Sequence, residues 1–442
     1  MATFGASDYA DGQYASSERA ASRALRARAL FLARKGMRIG VALLLILFSW
    51  HQTVLACPFC TSVPRTLSDD LDDAVVALLA KSQGFVRADD GTNHLRLSVL
   101  TVIKGGGALT HKTLSIPEPS VTADSPQLEP NQSDDSDPEM VANDVRNGDI
   151  VWLLGFGDEQ IQWDQPLVIT AAGQAYLSGL KRLPEAGVKR LEYFLPYLKH
   201  SEELIARDAY NEFAEATLEA IAGLKNKIDR PWVIASLSDP DVPIHHRRLC
   251  WTLLSQCGTE QDVQLFEQAV ARRTIEPDYE VGLDAAISCY LCLGGVTALE
   301  RVEREFLSAE SAGSSDGFAA VQALRVHGTE LRVIPRHRLA AAMARMLNYP
   351  QAADLVISDL ARWQDWTHVE RMVELFRSAT AETPLLKPAV IQYLKAGPEP
   401  TAKQAIETLR GIDPVTVKRV EASLLFTPGA AGVPVPPPDT DE

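Results

Sequence analysis

The feature of the sequence that most restricts its fold is a weak internal repeat in the C-terminal half. Five similar apolar segments begin at Leu249, Ala286, Ala320, Val356 and Val390, at spacings of 37, 34, 36 and 34 residues. In four of the five cases a second stretch with helical periodicity follows closely, at 261–271, 296–304, 367–376 and 401–409. A helix pair of this size cannot bury its own apolar face, so it stacks on its neighbours. The spacing therefore predicts an α-solenoid.

Helical patterning extends beyond the repeat and covers residues 187–426, with short breaks at glycines and prolines. Over about residues 230–425 the chain resembles the HEAT-like class of helical repeats. That resemblance implies stacked helix pairs with a long exposed surface. The last residues, 427–442, are rich in proline and are predicted to be a disordered tail.

The segment before the helices, residues 57–185, has the patterning of β-strands. After a short acidic stretch at 65–73, apolar or alternating runs occur at 74–81, 94–104, 112–116, 149–155 and 161–170. Three glycines, 105–107, separate the second run from the third. Five short strands followed by a helix at 172–183 predict a small barrel or sandwich.

An acidic segment interrupts this β-rich part. Residues 118–144 contain eight acidic side chains and no Lys or Arg, together with four prolines. Such a composition cannot bury a core. We therefore predict a disordered loop over 118–147.

The N-terminal 56 residues have the pattern of an export signal. They carry seven basic and three acidic groups, and the apolar run 39–50 has the length of a signal-peptide core rather than of a membrane span. Small residues end at Ala56, directly before Cys57, which predicts cleavage between them. Two alternatives remain open, acylation of Cys57 in a lipoprotein and an uncleaved N-terminal anchor. Either Met1 or Met37 is the true start.

Export predicts a periplasmic or envelope location for the remainder of the chain. The whole sequence has a net charge of −15, and residues 1–56 contribute +4, so the exported part carries −19. An acidic body of that size repels nucleic-acid phosphates and anionic lipid. We therefore expect no nucleic-acid partner, and membrane contact only through the N-terminal segment.

The most pointed chemical motif is Cys57-Pro-Phe-Cys60. This is the dithiol spacing of thioredoxin-like oxidoreductases, in which a helix N-terminus lowers the pKa of the first thiol. In those proteins a β-strand precedes the motif, whereas here only the signal segment does. We therefore predict an oxidised staple between Cys57 and Cys60. Thiol–disulfide redox work by this pair is the alternative, and the absence of a following His disfavours haem attachment.

The other four cysteines, Cys250, Cys257, Cys289 and Cys292, lie in apolar helical stretches. The main interpretation is that they are buried core thiols. A disulfide between two of them, or a four-thiolate zinc site, is the alternative. His245-His246 is predicted to be exposed. No cofactor is predicted.

Two resemblances concern the exported part. Residues 57–180 resemble netrin/TIMP-like OB-fold domains, through a mature N-terminal cysteine, Val102-Ile-Lys-Gly105 and Gly148-Asp-Ile-Val-Trp-Leu-Leu154. In the inhibitors of that group the amine and carbonyl of the first cysteine, here Cys57, chelate the zinc of a metalloprotease. Those inhibitors have Cys-x-Cys with distant partners, which this chain lacks. The layout of residues 57–426 also resembles exported bacterial proteins whose mature part begins with Cys-Pro-Phe-Cys, a likeness that implies no activity.

Letter patterns of enzymes carry little weight in this sequence. Gly313-Ser-Ser-Asp-Gly317 matches a hydrolase elbow with Ser315 as nucleophile, but a charged helical stretch precedes it where a strand is required. We therefore predict a non-enzymatic, exported scaffold that binds a protein partner. An exported thiol–disulfide redox factor is the alternative, and a metalloprotease inhibitor is a remote one.

Overall fold

The structure is a computed structural model, and it describes residues 57–60, 65–88, 91–117, 145–157, 160–276 and 279–425. The predicted export segment with Ala56, the acidic segment 118–144 and the proline-rich tail lie outside these residues.

A six-stranded antiparallel sheet follows a first short helix, α1 (Leu67–Asp73). The strands are β1 (Val76–Arg87), β2 (Asn93–Lys104), β3 (Thr113–Pro117), β4 (Ile150–Phe156), β5 (Gln162–Trp163) and β6 (Leu167–Val168). Their order is β3-β2-β1-β4-β5, and β6 also pairs with β4. The sheet curls into a nearly closed, barrel-like structure. The predicted single strand over 161–170 is in fact two, because Pro166 lies between β5 and β6 and has no N–H for the ladder.

Side chains of the central strands alternate between two apolar cores. Val76, Leu78 and Ala80 of β1 face the barrel interior together with Leu153 of β4. Ala77 and Leu79, on the opposite face, join a second core that continues through the helices. This period-2 alternation joins the sheet to the helical region. The turn after β2 requires glycine at position 105, where φ is +58° and a Cβ would overlap the carbonyl of Val75.

Fifteen α-helices follow β6 in the described part of the chain. They are α2 (Ala171–Leu180), α3 (Val188–Phe194), α4 (Glu203–Ala214), α5 (Leu218–Ala222), α6 (Arg230–Ser238), α7 (Ile244–Cys257), α8 (Val263–Ile275), α9 (Leu283–Glu305), α10 (Ser315–Thr329), α11 (Arg336–Ala344), α12 (Pro350–Arg362), α13 (Val369–Ser378), α14 (Leu386–Ala396), α15 (Thr401–Ile412) and α16 (Pro414–Leu425). The predicted combination of a small β-barrel-like unit and an all-helical region is confirmed.

The five repeated segments lie on helices that pack against one another in succession. Leu249, Ala286, Ala320, Val356 and Val390 are at most 2% exposed, on α7, α9, α10, α12 and α14. We call these the inner helices, with α16 as the sixth, and each contacts the next. They run parallel, because residues near their C-terminal ends meet. Examples are Gly328 against the Trp363 ring, and Tyr393, whose hydroxyl donates to Asp365 O at 2.5 Å.

A second helix follows each of the first five inner helices, and we call these the outer helices. The four predicted ones are α8, the second half of α9, α13 and α15. The third pair also has one, α11, which the sequence pattern did not indicate. α9 turns between its two halves at Gly295, whose φ is +57°. α9 is also the one helix in the described ranges that is long and apolar enough to cross a membrane, and half of its apolar window is buried in the protein.

Candidate functional site

The Cys57–Cys60 segment lies at the junction of the sheet and the helices. Cys57 and Phe59 are 3% and 4% exposed, in the core shared by the outer face of the sheet and the helical region. The backbone N–H of Cys57 donates to the carbonyl of Ala214, the last residue of α4, at 3.0 Å. The N–H of Cys60 donates to the carbonyl of Cys57 at 3.1 Å, which closes a tight turn.

The two thiols are in direct contact. Their sulfur atoms lie 2.7 Å apart, so a shift of less than an ångström brings them to the ~2.05 Å of a disulfide. The Cys60 thiol donates to the Cys57 sulfur. This hydrogen bond lowers the pKa of Cys57, against the effect of burial. Donating that proton, together with burial, raises the pKa of Cys60 well above its ordinary value.

One aromatic residue, on α4, and one basic residue, on α7, approach the dithiol. The hydroxyl of Tyr210 is buried and lies near the Cys60 thiol, without a hydrogen bond of ordinary geometry to any described residue. Burial raises the pKa of Tyr210, and the neighbouring Cys60 thiol adds to this effect. The Arg248 guanidinium favours the Cys60 thiolate, and it also pairs with Asp284 at 3.1 Å.

The two adjacent histidines pack on Tyr210. The ring centroids of His245 and His246 lie 5.0 and 4.8 Å from that of Tyr210, and both side chains are partly buried. Burial lowers the pKa of His246 to about 4, so this ring is neutral at pH 7. The prediction that His245 and His246 are exposed is therefore confirmed only in part, because both side chains are partly buried against Tyr210. The sequence contained the His-His pair but no signal for its contact with Tyr210.

The exposure of the two thiols is the reverse of that in thiol oxidoreductases. Cys57, whose pKa is lowered, is buried, whereas Cys60 is partly exposed. The pair lies in a turn and not at the first turn of a helix. Attack by Cys57 on an external disulfide therefore requires the segment to move. The arrangement suits an intramolecular disulfide better than exchange.

The backbone of Cys57 is fully engaged. Its nitrogen donates to Ala214 O and its oxygen accepts from Cys60 N. Chelation of a protease zinc by this amine and carbonyl requires both groups to be free. The geometry therefore gives no support to the inhibitor alternative.

The remaining four cysteines lie inside the helical stack. Cys250 and Cys289 are buried, and Cys257 and Cys292 are partly buried. Burial raises the pKa of all four, for Cys250 and Cys292 to about 12. All four are free thiols, and no group of three or more His, Cys, Asp or Glu within the described ranges is arranged to hold a metal ion.

Cys292 lies near a histidine, but the two do not form a catalytic pair. Its sulfur is 3.8 Å from Nε2 of His327. That nitrogen donates to the carbonyl of Ser288 at 3.0 Å, so it cannot accept the thiol proton. Burial lowers the pKa of His327 to about 4, which keeps the ring neutral.

Ser315 is the first residue of α10, after a loop that links it to α9. Ser314 caps the helix by accepting from the N–H of Gly317 at 3.3 Å. No strand feeds this turn, so the segment is an ordinary helix start.

No family model, no curated protein and no solved structure matches the chain.

Proposed function

We propose that this chain is an exported, non-enzymatic scaffold whose HEAT-like helix pairs bind a protein partner, and whose N-terminus is fastened by a Cys57–Cys60 disulfide. The observation that carries the proposal is a row of exposed apolar side chains along one edge of the helical stack.

The edge in question is where the inner helices begin and the outer helices end. Arg273, near the end of α8, pairs with Asp316 at the start of α10, with an Nη1–Oδ1 distance of 3.0 Å. Gly313, before α10, lies beside Gln351 at the start of α12, since a Cβ at Gly313 would come within 3.3 Å of the Gln351 side chain. Lys387, at the start of α14, pairs with Asp413 between α15 and α16 at 2.8 Å.

Large apolar side chains are concentrated on this edge. Of the seven that are exposed in the described helical region, five lie here, and we call them the apolar edge: Ile275 (80% exposed), Phe318 (48%), Leu385 (65%), Ile412 (44%) and Val415 (74%). The other two, Val296 and Val333, lie at the opposite edge, where the outer helices begin. Scattered apolar residues are normal on a surface, but five of seven gathered on one edge indicate an interaction surface.

Ion pairs between successive repeats support the HEAT-like assignment. Four of them join residues 34 to 36 positions apart, namely Arg248–Asp284, Arg301–Glu267, Arg338–Glu303 and Arg325–Asp359. These separations equal the repeat length that the sequence predicts. Nearest-neighbour contacts of this kind are what hold a solenoid together.

The barrel-like sheet is proposed to be OB-like. Its nearly closed curl, the tight turn at Gly105 and the interior core of β1 and β4 are compatible with that class. Its outer face is covered by the helical region. In this proposal the sheet fixes the N-terminal end of the scaffold.

The surroundings of the Cys57 nitrogen and sulfur support export by a cleaved signal peptide. Its nitrogen lies against the C-terminal carbonyl of α4, where a helix dipole favours a positive charge. An acylated Cys57 would carry a glyceride on a sulfur that is buried against Cys60. The buried sulfur therefore favours plain cleavage over a lipoprotein.

The scaffold proposal is tested by charging the apolar edge. Phe318→Lys, Leu385→Lys and Val415→Lys are combined in one variant, and Val296→Lys with Val333→Lys forms the control from the opposite edge. Each tagged protein is cross-linked in envelope extract, and captured proteins are quantified by mass spectrometry. We expect a partner that wild type and control capture equally and that the edge variant loses. Equal capture by all three would refute the role of this edge.

A thiol–disulfide redox factor is the second candidate, because Cys60 is partly exposed and contacts Cys57. Its test is equilibration of the pair with glutathione. A redox factor exchanges rapidly and has a reduction potential well above −300 mV, whereas a structural disulfide lies below about −300 mV.

A further inference from the structure

The geometry points to an anchor pocket at the N-terminal end of the apolar edge, which takes an aromatic side chain of the partner from a segment flanked by basic residues. This inference rests on the proposed scaffold function and adds to it the chemistry of the partner.

The pocket lies between α6, α7 and α8. It has a volume of about 150 Å³ and is lined by Leu237, Ser238, Trp251, Leu265, Gln268, Ala269, Arg272 and Tyr279. Ile275 of the apolar edge follows Arg272 by one helical turn on α8. The pocket and the edge therefore belong to one surface.

The size of the pocket selects its occupant. A cavity of about 150 Å³ holds one benzene-sized group. The lining is aliphatic on the α6 and α8 sides and aromatic at Trp251 and Tyr279. A phenyl or phenol ring fits this volume and meets mainly the aliphatic walls, because two guanidinium groups already lie over the Tyr279 ring and Trp251 is only 1% exposed. Such rings are the usual anchors of protein interfaces.

The walls are held rigidly. The indole N–H of Trp251 donates to Val281 O at 2.9 Å, and the hydroxyl of Tyr279 donates to Leu237 O at 3.0 Å. The guanidiniums of Arg247 and Arg272 lie 4.5 and 4.2 Å from the centroid of the Tyr279 ring. A pocket whose walls are fixed before binding loses little entropy when the ring enters.

Hydrogen-bonding groups are scarce at the mouth. Arg272 is occupied, since it pairs with Glu276 at 2.7 Å and donates to Ser238 O at 3.0 Å. The side-chain amide of Gln268 is exposed and makes no hydrogen bond to another residue that the structure describes. This amide is placed to meet a phenolic hydroxyl or the backbone of a bound segment.

The surroundings of the pocket are acidic. Asp239 follows Ser238 and Glu280 follows Tyr279, and both carboxylates are exposed and lie outside the ion pairs of the described residues, whereas Glu276 is neutralised by Arg272. Charge complementarity therefore selects a partner segment with Lys or Arg beside the aromatic residue.

Short peptides test the inference on the full chain. The probe is Ac-Lys-Phe-Lys-amide, and binding is followed by ligand-observed NMR at low salt. Ac-Lys-Ala-Lys-amide tests the ring and Ac-Glu-Phe-Glu-amide tests the charge. We expect the first peptide to bind at least tenfold more tightly than either of the others. Equal affinity of the Phe and Ala peptides would overturn the aromatic pocket, and equal affinity of the Lys and Glu peptides would overturn the basic flanks.

Variants locate the binding. Ala269→Leu fills the pocket and is expected to abolish binding, whereas Ala271→Leu, on the exposed side of the same helix, leaves it unchanged. Gln268→Lys changes an exposed residue that folding does not need, and is expected to weaken the Lys-flanked peptide several-fold. If both Ala269→Leu and Gln268→Lys bind the peptide as wild type does, the ring binds elsewhere and the inference is wrong.

Failure of the aromatic pocket and failure of the proposed scaffold function give different results. If no peptide binds but the apolar-edge variant still loses its partner, the scaffold stands and the pocket is wrong. If the edge variant captures the partner normally as well, both are wrong.

Discussion

The carboxylate of Asp208 on α4 accepts a hydrogen bond of 2.7 Å from the backbone N–H of Leu67, the first residue of α1. Its second oxygen accepts from the hydroxyl of Tyr176 on α2 at 2.6 Å. Asp208 is only 4% exposed. One buried carboxylate therefore ties the segment before the sheet to two helices that follow it.

This position makes stability depend on pH. Burial raises the pKa of Asp208 to about 6, from the ordinary 3.8. Because the folded-state pKa is raised, its stabilising contribution is complete below about pH 4 and is lost as pH rises through 6. The loss amounts to about 3 kcal/mol by pH 7. Asp208→Asn keeps an acceptor for Leu67, so we expect it to remove this fall in the free energy of unfolding.

The measurement is urea unfolding of wild type and Asp208→Asn between pH 4 and pH 8. The difference between the two isolates this carboxylate from the others that titrate. Asp72→Asn, at an exposed position of α1, is the control and should follow the wild-type curve. A constant difference between wild type and Asp208→Asn at every pH would contradict the prediction.

A second prediction concerns the contact between α10 and α12. A Cβ at Gly328 would overlap the indole of Trp363, which is 8% exposed. We expect Gly328→Ala to lower the free energy of unfolding by about 1–3 kcal/mol. Gly411→Ala is the matched control, because Gly411 lies in α15 with nothing within 4 Å of its Cβ position. If both variants unfold at the same urea concentration, the packing described for Trp363 is wrong.

Truncation tests whether the repeats depend on one another. Ending the chain at Tyr349 removes α12, and with it Trp363 and Asp359, whose carboxylate meets Arg325 of α10 at 2.7 Å. We expect hydrogen exchange to lose most of its protection in α10 and α11 and to keep it in α7. Uniform loss across all helices would indicate one cooperative unit instead of a chain of neighbours.

The sequence predicted the helical stack well, because its signal is periodic. Each repeat must bury one apolar position at the same place, and Leu249, Ala286, Ala320, Val356 and Val390 are all buried. The outer helix α11 was missed, because its apolar residues are mostly alanines, which carry little contrast against a polar face. The division of 161–170 into two short strands was missed because a single Pro166 decides it.

The residues that surround the dithiol could not be predicted from the sequence. Cys57 and Cys60 were identified from their spacing alone. Tyr210, Arg248 and Ala214 lie at least 150 positions away, and long-range packing of this kind leaves no local pattern. Ion pairs such as Arg325–Asp359 follow from the repeat length only after the stack is known.

The thiol pair leads to a prediction about reduction. A disulfide that closes so short a loop stabilises by about 2 kcal/mol. We expect a reductant to lower the free energy of unfolding of wild type by that amount and to leave Cys60→Ser unchanged. Cys257→Ser, a partly buried thiol of α7, should respond to the reductant as wild type does. If the reductant leaves the free energy of unfolding of wild type unchanged, Cys57 and Cys60 do not form a disulfide.

The final prediction is that the mature chain begins at Cys57. A charged flank ends at Arg38, the apolar core 39–50 follows, and small residues precede Cys57. The Cys57 nitrogen lies 3.0 Å from the terminal carbonyl of α4, so cleavage would place its ammonium where the helix dipole stabilises it. We therefore expect the intact mass of protein from the envelope to start at Cys57 and to lack two hydrogens for the Cys57–Cys60 disulfide. Ala56→Asp should block cleavage and retain the precursor mass, while Gln52→Asn, outside the recognition residues, should not. An added acyl mass would mean that the Cys57 sulfur is exposed during maturation, and retention of 37–56 in wild type would mean an uncleaved anchor; either result would overturn the prediction.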